Sequence, residues 1–121
     1  MTDAGFGRVV NISSVNGKKG QFGQTNYSAA KAGVHGFTMA LAQEVARKGV
    51  TVNSVSPGYV ETSMTKAIPA EISAQIVAQI PLGRMAQPDE VAYVVGVLCD
   101  DRAGYITGTN ISVNGGLFIS F

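Results

Sequence analysis

Residues 8–58 read RVVNISSVNGKKGQFGQTNYSAAKAGVHGFTMALAQEVARKGVTVNSVSPG, and this stretch decides the fold. Its first residues form an apolar run rich in β-branched side chains, which predicts a buried strand over 8–13. Residues 50–56 form a similar run, and Pro57-Gly58 stops the second strand. A helical pattern separates the two runs, so we expect a strand-helix-strand unit with parallel strands and a right-handed crossover.

The helix in this unit is predicted from apolar residues at helical spacing. They are Ala30, Val34, Phe37, Leu41 and Val45. Thr25 is an acceptable N-cap, and Gly49 ends the helix.

The remainder of the chain continues the alternation of helices and strands. A short amphipathic helix is expected between Pro69, as its first helical residue, and Pro81. Its apolar stripe is Ile68, Ile72, Ile76 and Ile80. This helix either covers the core or forms a lid over a substrate. Another helix begins at Pro88, with Val91, Val94, Val95 and Leu98 on its buried side, and 110–113 gives a last strand.

Three side chains in this stretch suggest proton chemistry. Tyr27 follows Ser14 by 13 positions, and Lys31 follows Tyr27 by four. Positions i and i+4 share one face of a helix, so the Lys31 ammonium can lie beside the Tyr27 phenol and favour the phenolate. The strand over 8–13 would place the Ser14 hydroxyl at the carboxyl edge of the sheet, where it could hold a substrate oxygen. By itself, however, a Tyr-x-x-x-Lys pair is common on exposed helices.

Composition excludes several classes of function. Hydrophobic residues make up 45% of the chain, charged residues 14%, and the net charge is +1. The low charge argues against nucleic-acid binding. No apolar run approaches a membrane span, and the first residues lack the apolar core of a signal peptide, so we expect a cytoplasmic protein.

Two singly occurring residues have simpler expectations. Cys99 lacks Cys and His neighbours for a zinc site, and we expect it to be a small buried apolar residue. His35 is the only histidine. A Ser14–His35 hydrolase pair would need a nucleophile elbow and an orienting acid, which the sequence lacks, so a surface or subunit-contact histidine is expected.

Three features of the chain together resemble the short-chain dehydrogenase/reductase family. They are the set Ser14, Tyr27 and Lys31, the stretch NSVSPGYVET at 53–62, and Asn114-Gly115-Gly116. The resemblance covers essentially all 121 residues and corresponds to the C-terminal half of that fold. It implies an α/β fold with three strands and flanking helices, taken from a Rossmann-like doubly wound parallel sheet. The glycine-rich turn of the family's N-terminal half is absent, so 1–121 is expected to be a single, incomplete domain.

The resemblance also implies roles for individual residues. Tyr27 would be the catalytic acid/base, Ser14 would hydrogen-bond the reacting oxygen, and Lys31 would hold the nicotinamide ribose. Further cofactor contacts would come from the segment after the second strand. They are Pro57, Gly58, Tyr59, Val60 and Thr62.

Within the family, the loop 20–27 and Pro57-Gly58-Tyr59 resemble acetoacetyl-CoA reductases and 3-oxoacyl-[acyl-carrier-protein] reductases. This implies NADP(H) rather than NAD(H), no metal, and a 3-oxoacyl thioester of coenzyme A or acyl carrier protein as substrate. Gln21, Phe22, Gln24 and Tyr59 would then line the acyl-thioester pocket together with Ser14.

Two classes of function remain open from the sequence. One is a reductase that assembles as a homo-oligomer, which the family resemblance implies is a homotetramer. The expected contact segments run from Thr25 to Lys48 and from Pro88 to Val113. The other is a catalytically silent fragment that serves only as a packing or oligomerisation module.

Overall fold

The computed structural model describes residues 1–120 and contains a three-stranded parallel sheet with flanking helices. Strand β1 spans Gly7–Ile12, β2 spans Val50–Pro57 and β3 spans Asn110–Val113, and they lie in the order β1-β2-β3. The central strand is therefore β2, which pairs in parallel with both neighbours. The predicted α/β class with three parallel strands is confirmed.

Five α-helices connect and cover these strands within residues 1–120. They are α1 (Val15–Lys19), α2 (Thr25–Val45), α3 (Ser63–Lys66), α4 (Ala70–Ala78) and α5 (Pro88–Cys99). Two short 3₁₀ turns follow α2 and α5, over Ala46–Lys48 and Asp101–Ala103.

Strand β2 is buried from Val50 to Ser56, and both α2 and α5 contact it. Since successive side chains of a strand point to opposite faces, continuous burial means that both faces of β2 are covered. The apolar core between α2 and the sheet is built on Ala42, Val50 and Val52.

The buried strand also carries polar side chains, and Asn53, Ser54 and Ser56 each hydrogen-bond within the fold. The Asn53 amide nitrogen donates to the Ile106 carbonyl at 2.8 Å, and its oxygen accepts from the Thr109 backbone N–H at 3.1 Å. Asn53 thereby holds the loop before β3 in place, because a buried amide is costly unless it is hydrogen-bonded.

The helix boundaries agree with the predictions to within about one turn, with two corrections. Thr25 is not the N-cap of α2. The N-cap is Gln24, because its carbonyl accepts the first hydrogen bond of the helix from the Ser28 N–H at 2.8 Å. Pro69 is the N-cap of α4 rather than its first helical residue, because its ψ of 142° is extended. Gly49 ends the α2 region as predicted, in the left-handed conformation with φ of 74°.

Two expectations about burial also need revision. Cys99 is exposed. It follows the fully buried Leu98 directly, so its side chain lies on a different side of α5. In α4 no residue is buried, and Ile72 is exposed. Of the predicted stripe only Ile80, beyond the helix, is buried, so α4 does not act as core cover within residues 1–120.

Candidate active site

Ser14 lies where β1 passes into α1. Its backbone is extended, and its hydroxyl oxygen caps α1 by accepting the Asn16 backbone N–H at 3.2 Å. The residue is buried, with 8% of its surface exposed. A hydroxyl that accepts a hydrogen bond still holds its own proton, so Ser14 can donate that proton to another oxygen.

Tyr27 and Lys31 lie one turn apart on α2. The Lys31 ammonium is 5.7 Å from the centroid of the Tyr27 ring, and it donates to the Ile12 carbonyl at 3.2 Å. The Tyr27 side chain is partly open to solvent, with 46% of the residue exposed. The structure thus brings Tyr27 and Lys31 together at the end of the strand that delivers Ser14, although no hydrogen bond joins Ser14 to either of them within residues 1–120.

A second contact ties this end of β1 to α2. The Ser13 hydroxyl donates to the Lys31 carbonyl at 2.8 Å, and the same oxygen lies 2.6 Å from His35 Nε2. His35 Nε2 is also 3.5 Å from the Ser56 hydroxyl of β2. His35 is therefore directed at the sheet, so the expectation of a surface histidine was wrong, while a subunit contact stays a prediction. Burial, and secondarily the positive charge of Lys18, lowers the pKa of His35 below its ordinary value.

Gly17 allows α1 to lie directly against α2. A Cβ at this position would be 2.8 Å from the Lys31 backbone carbonyl carbon and 2.8 Å from the Lys31 Cβ. Any side chain there would push the two helices apart. Gly17 thus sets the distance between the helix that Ser14 caps and the helix turn that carries Lys31.

The segment after β2 follows the carboxyl edge of the sheet. Gly58 donates its N–H to the Val113 carbonyl at 2.9 Å, and a Cβ on Gly58 would lie 2.9 Å from that of Asn114. The need for glycine is thus explained by contact with the chain after β3. Val60 pairs with Ala86 in an isolated parallel bridge. Thr62 caps α3, its hydroxyl accepting from the Thr65 N–H at 3.3 Å.

The four predicted substrate residues fall in two places. Tyr59 lines a cavity of about 220 Å³ with residues of the loop before α5 and of the chain after β3, including Ile80, Arg84 and Asn114. The other three lie on the loop between α1 and α2, and none of them lines this cavity. They are Gln21, Phe22 and Gln24.

On that loop the three side chains differ in how they are held. Gln24 accepts from the Asn16 side-chain amide at 2.8 Å, and Gln21 accepts from the Lys19 ammonium at 3.4 Å. Phe22 is fully exposed. The structure therefore places the loop beside α1 and leaves its aromatic side chain open to a ligand.

An ion pair lies at the cavity that Tyr59 lines. Both guanidinium nitrogens Nη1 and Nη2 of Arg84 bond the Glu90 carboxylate, at 2.6 and 3.0 Å. This pairing, together with the Gln87 backbone N–H, holds the pKa of Glu90 at about 2, below its ordinary 4.5. The pair joins the loop before α5 to the first turn of that helix.

Other kinds of site are not seen in the part of the chain that the structure describes. Across residues 1–120, no helix is both long and apolar enough to cross a membrane. In the same residues, no three His, Cys, Asp or Glu side chains are grouped so that they could hold a metal ion.

Comparison with known proteins identifies the class. A family model described as enoyl-(acyl carrier protein) reductase matches residues 1–118. With the parallel sheet and the Ser14, Tyr27 and Lys31 arrangement already described, the chain belongs to the short-chain dehydrogenase/reductase family.

Individual relatives are similar over nearly the whole chain. It is 64% identical to the acetoacetyl-CoA reductase of Allochromatium vinosum over 119 residues, which are 98% of this chain and 48% of that protein. It is 62% identical to the acetoacetyl-CoA reductase of Cupriavidus necator, over 97% of this chain and 48% of the relative. The 3-oxoacyl-[acyl-carrier-protein] reductase of Pseudomonas aeruginosa is 52% identical over 99% of this chain and 49% of its own length. The chain thus spans about half the length of these relatives.

Proposed function

We propose that this chain carries the catalytic side chains of a nicotinamide-dependent reductase that converts a 3-oxoacyl thioester, of coenzyme A or acyl carrier protein, to the 3-hydroxyacyl thioester. The observation that carries the proposal is the Lys31 ammonium, 5.7 Å from the Tyr27 ring and bonded to the end of the strand that leads into Ser14. The names of the similar proteins, acetoacetyl-CoA reductase and 3-oxoacyl-[acyl-carrier-protein] reductase, support the same substrate class.

The three side chains divide the proton chemistry among them. Ser14 donates a hydrogen bond to the 3-oxo oxygen and fixes its position, a contact that gains strength as negative charge develops on that oxygen. Tyr27 transfers its phenolic proton to the same oxygen as the carbonyl carbon is reduced. The positive charge of Lys31 favours the phenolate that remains.

The donor set near Tyr27 fits a nicotinamide ribose. An ammonium has three donors, and within residues 1–120 the Lys31 ammonium makes one hydrogen bond, to Ile12. Its other donors suit the vicinal hydroxyls of a ribose. When bound, the cofactor supplies the hydride, and we favour NADP(H) over NAD(H). Further contacts are proposed for the segment after β2, at Pro57, Gly58, Tyr59, Val60 and Thr62.

The substrate would approach between the α1–α2 loop and the segment after β2. We propose that Gln21, Phe22, Gln24 and Tyr59 contact the acyl thioester, with the two aromatic rings against its short acyl chain. The full exposure of Phe22 supports this role, since an exposed phenylalanine gains from covering by an apolar ligand.

A chimeric enzyme tests the proposal. This chain would replace the matching 119 residues of the Allochromatium vinosum acetoacetyl-CoA reductase, with which it is 64% identical. We expect NADPH-dependent reduction of acetoacetyl-CoA, followed by the loss of absorbance at 340 nm. A chimera that folds, as judged by circular dichroism and a cooperative melt, and yet shows no reduction would contradict the proposed function.

Within that chimera, Tyr27→Phe should lower kcat by about 10²–10⁴-fold, the usual contribution of a general acid. Cofactor affinity should stay the same, because only the phenolic oxygen is removed. Tyr105→Phe is the matched control, since Tyr105 is fully exposed and lies between α5 and β3. Equal turnover in the Tyr27 and Tyr105 variants would rule out Tyr27 as the proton donor.

A further inference from the structure

His35 and Ser13 form a polar contact that the proposed mechanism does not use. The Ser13 hydroxyl lies 2.8 Å from the Lys31 carbonyl and 2.6 Å from His35 Nε2. Ser13 is almost completely buried, with 3% of its surface exposed. The contact joins Ser13, which lies between β1 and Ser14, to His35 and to the backbone of Lys31 on α2.

The proton inventory of this cluster fixes the state of the imidazole. A carbonyl oxygen only accepts, so the Ser13 hydroxyl proton is committed to Lys31. The Ser13 oxygen can therefore only accept from His35, so the imidazole Nε2 must carry a hydrogen.

We infer that His35 is a positioning residue for the reaction: its Nε2–H, bonded to Ser13, holds the Lys31 turn of α2 at a fixed distance from Ser14. Ser14 follows Ser13 directly, and Lys31 lies one turn after Tyr27 on α2. A shift at Ser13 therefore changes the distances among Ser14, Tyr27 and Lys31. The Lys31 ammonium bond to Ile12 adds a second tie at the same place. His35 itself does not touch the reacting atoms in this arrangement.

The first test needs no catalysis and uses the 121-residue chain as it is. His35 is the only histidine, so its ring gives a single set of signals in ¹⁵N NMR. At about pH 8, above the ordinary histidine pKa of about 6.5, we expect a neutral ring protonated at Nε2. We also expect slow solvent exchange of that proton. A ring protonated at Nδ1, or a rapidly exchanging mixture of tautomers, would overturn the inference.

The second test measures the catalytic effect, which depends on the proposed function, in the chimera described above. His35→Leu removes the donor and keeps a side chain of similar size, whereas His35→Gln returns an N–H near the position of Nε2. We expect His35→Leu to lower kcat by about 10–100-fold with KM changed less than about 3-fold, since small misplacements of reacting groups carry such penalties. His35→Gln should recover most of the loss.

Ser13→Ala provides an independent variant should His35→Leu fail to fold. It should lower kcat at least as much as His35→Leu, because it removes both the His35 contact and the bond to the Lys31 carbonyl. Adding His35→Leu to Ser13→Ala should lower kcat little further, because the contact with His35 is then already lost. The positioning role would be refuted if Ser13→Ala left kcat unchanged or raised KM as much as it lowered kcat. It would also be refuted if the loss in the double variant equalled the two single losses combined. An inactive unmodified chimera would instead count against the proposed function, while the NMR result would stand on its own.

Discussion

At the residue scale, Gly17 shows how the lack of one side chain sets the geometry of the site. The backbone of Lys31 occupies the space that a Cβ on Gly17 would need. Gly58 has a similar relation to Asn114 at the end of β3. Both glycines lie next to residues proposed to act on the substrate or cofactor, and both are required by close packing within this chain.

A pair of identical substitutions tests this view of Gly17. Gly17→Ala should destabilise the chain by about 1–3 kcal/mol, the usual range for overpacking against a well-packed neighbour. Gly33→Ala, on α2 with open space around the added methyl group, should stabilise it by about 0.5–1 kcal/mol, because alanine is the better helix former. Urea unfolding at low protein concentration measures both. Equal effects of the two substitutions would show that Gly17 is not a point of close contact.

At the element scale, the unit formed by β1, α1 and α2 builds the candidate site. The carboxyl end of β1 is tied to α2 by the Lys31 ammonium on Ile12 and by the Ser13 hydroxyl on Lys31. Further back along the strand, the Asn11 amide donates to Thr38 at 3.0 Å. Asn11 and Ser13 thus bond α2 at Thr38 and Lys31, about two turns apart, which fixes the helix along the strand and not only at one point.

The first turn of α5 is held by an ion pair combined with a capping box. Glu90 accepts from the Gln87 N–H at 3.1 Å and pairs with Arg84. The predicted start of this helix at Pro88 is confirmed, and the acidic residues Asp89 and Glu90 lie in its first turn. The pair anchors the loop before α5, and through it the wall of the cavity that Tyr59 lines.

The stability of this anchor should depend on pH. Arg84 first, and then the Gln87 N–H, lower the pKa of Glu90 to about 2 in the folded chain. The unfolded chain therefore takes up a proton near pH 4.5 while the folded chain does not, so the stabilisation is present above that pH and is lost as the pH falls toward 2.

Thermal unfolding of the chain and of Glu90→Gln provides the measurement. The difference in Tm between them should be largest above about pH 5 and should shrink as the pH is lowered through the window set by the lowered pKa. The pair is exposed to solvent, so added salt should also reduce the difference. A Tm difference that stays constant from pH 6 to pH 2.5 would show that the ionised Glu90 carboxylate does not stabilise the fold.

At the scale of the whole molecule, two helices leave large apolar side chains open. Phe37 and Met39 on α2 are 58% and 52% exposed, and Tyr93 on α5 is 72% exposed. Val97, also on α5, is 41% exposed. Large exposed apolar side chains on each of the two helices favour an interaction surface there. These residues fall in the two segments, 25–48 and 88–113, for which the sequence predicts subunit contacts.

We therefore expect the chain to self-associate through these helices. Sedimentation velocity at micromolar concentration should show a species larger than the monomer, and Phe37→Glu together with Val97→Lys should shift it toward the monomer. Leu82→Glu is the matched control, because Leu82 is 70% exposed but lies outside both segments. A monodisperse monomer in the unmodified chain would refute the expectation.

The sequence by itself determined the order of the elements and the residues that make up the candidate site. Apolar runs located the strands, and apolar residues at helical spacing located the three longer helices, because burial dictates both patterns along the chain. The positions of Ser14, Tyr27 and Lys31 at the end of a strand and on one helix face also follow from local geometry. Their roles in catalysis remain predictions.

Only the tertiary structure decided what surrounds those residues. The bond from His35 to Ser13 spans 22 positions, and that from Ser56 to Asn110 spans 54, so neither can be read from local spacing. Cys99 was misjudged because its apolar neighbours suggested burial, although it directly follows the buried Leu98 and therefore points to a different side of α5. Helix faces, hydroxyl partners and the space around Gly17 depend on how separate elements pack, and packing between distant segments leaves no periodic signal in a single sequence.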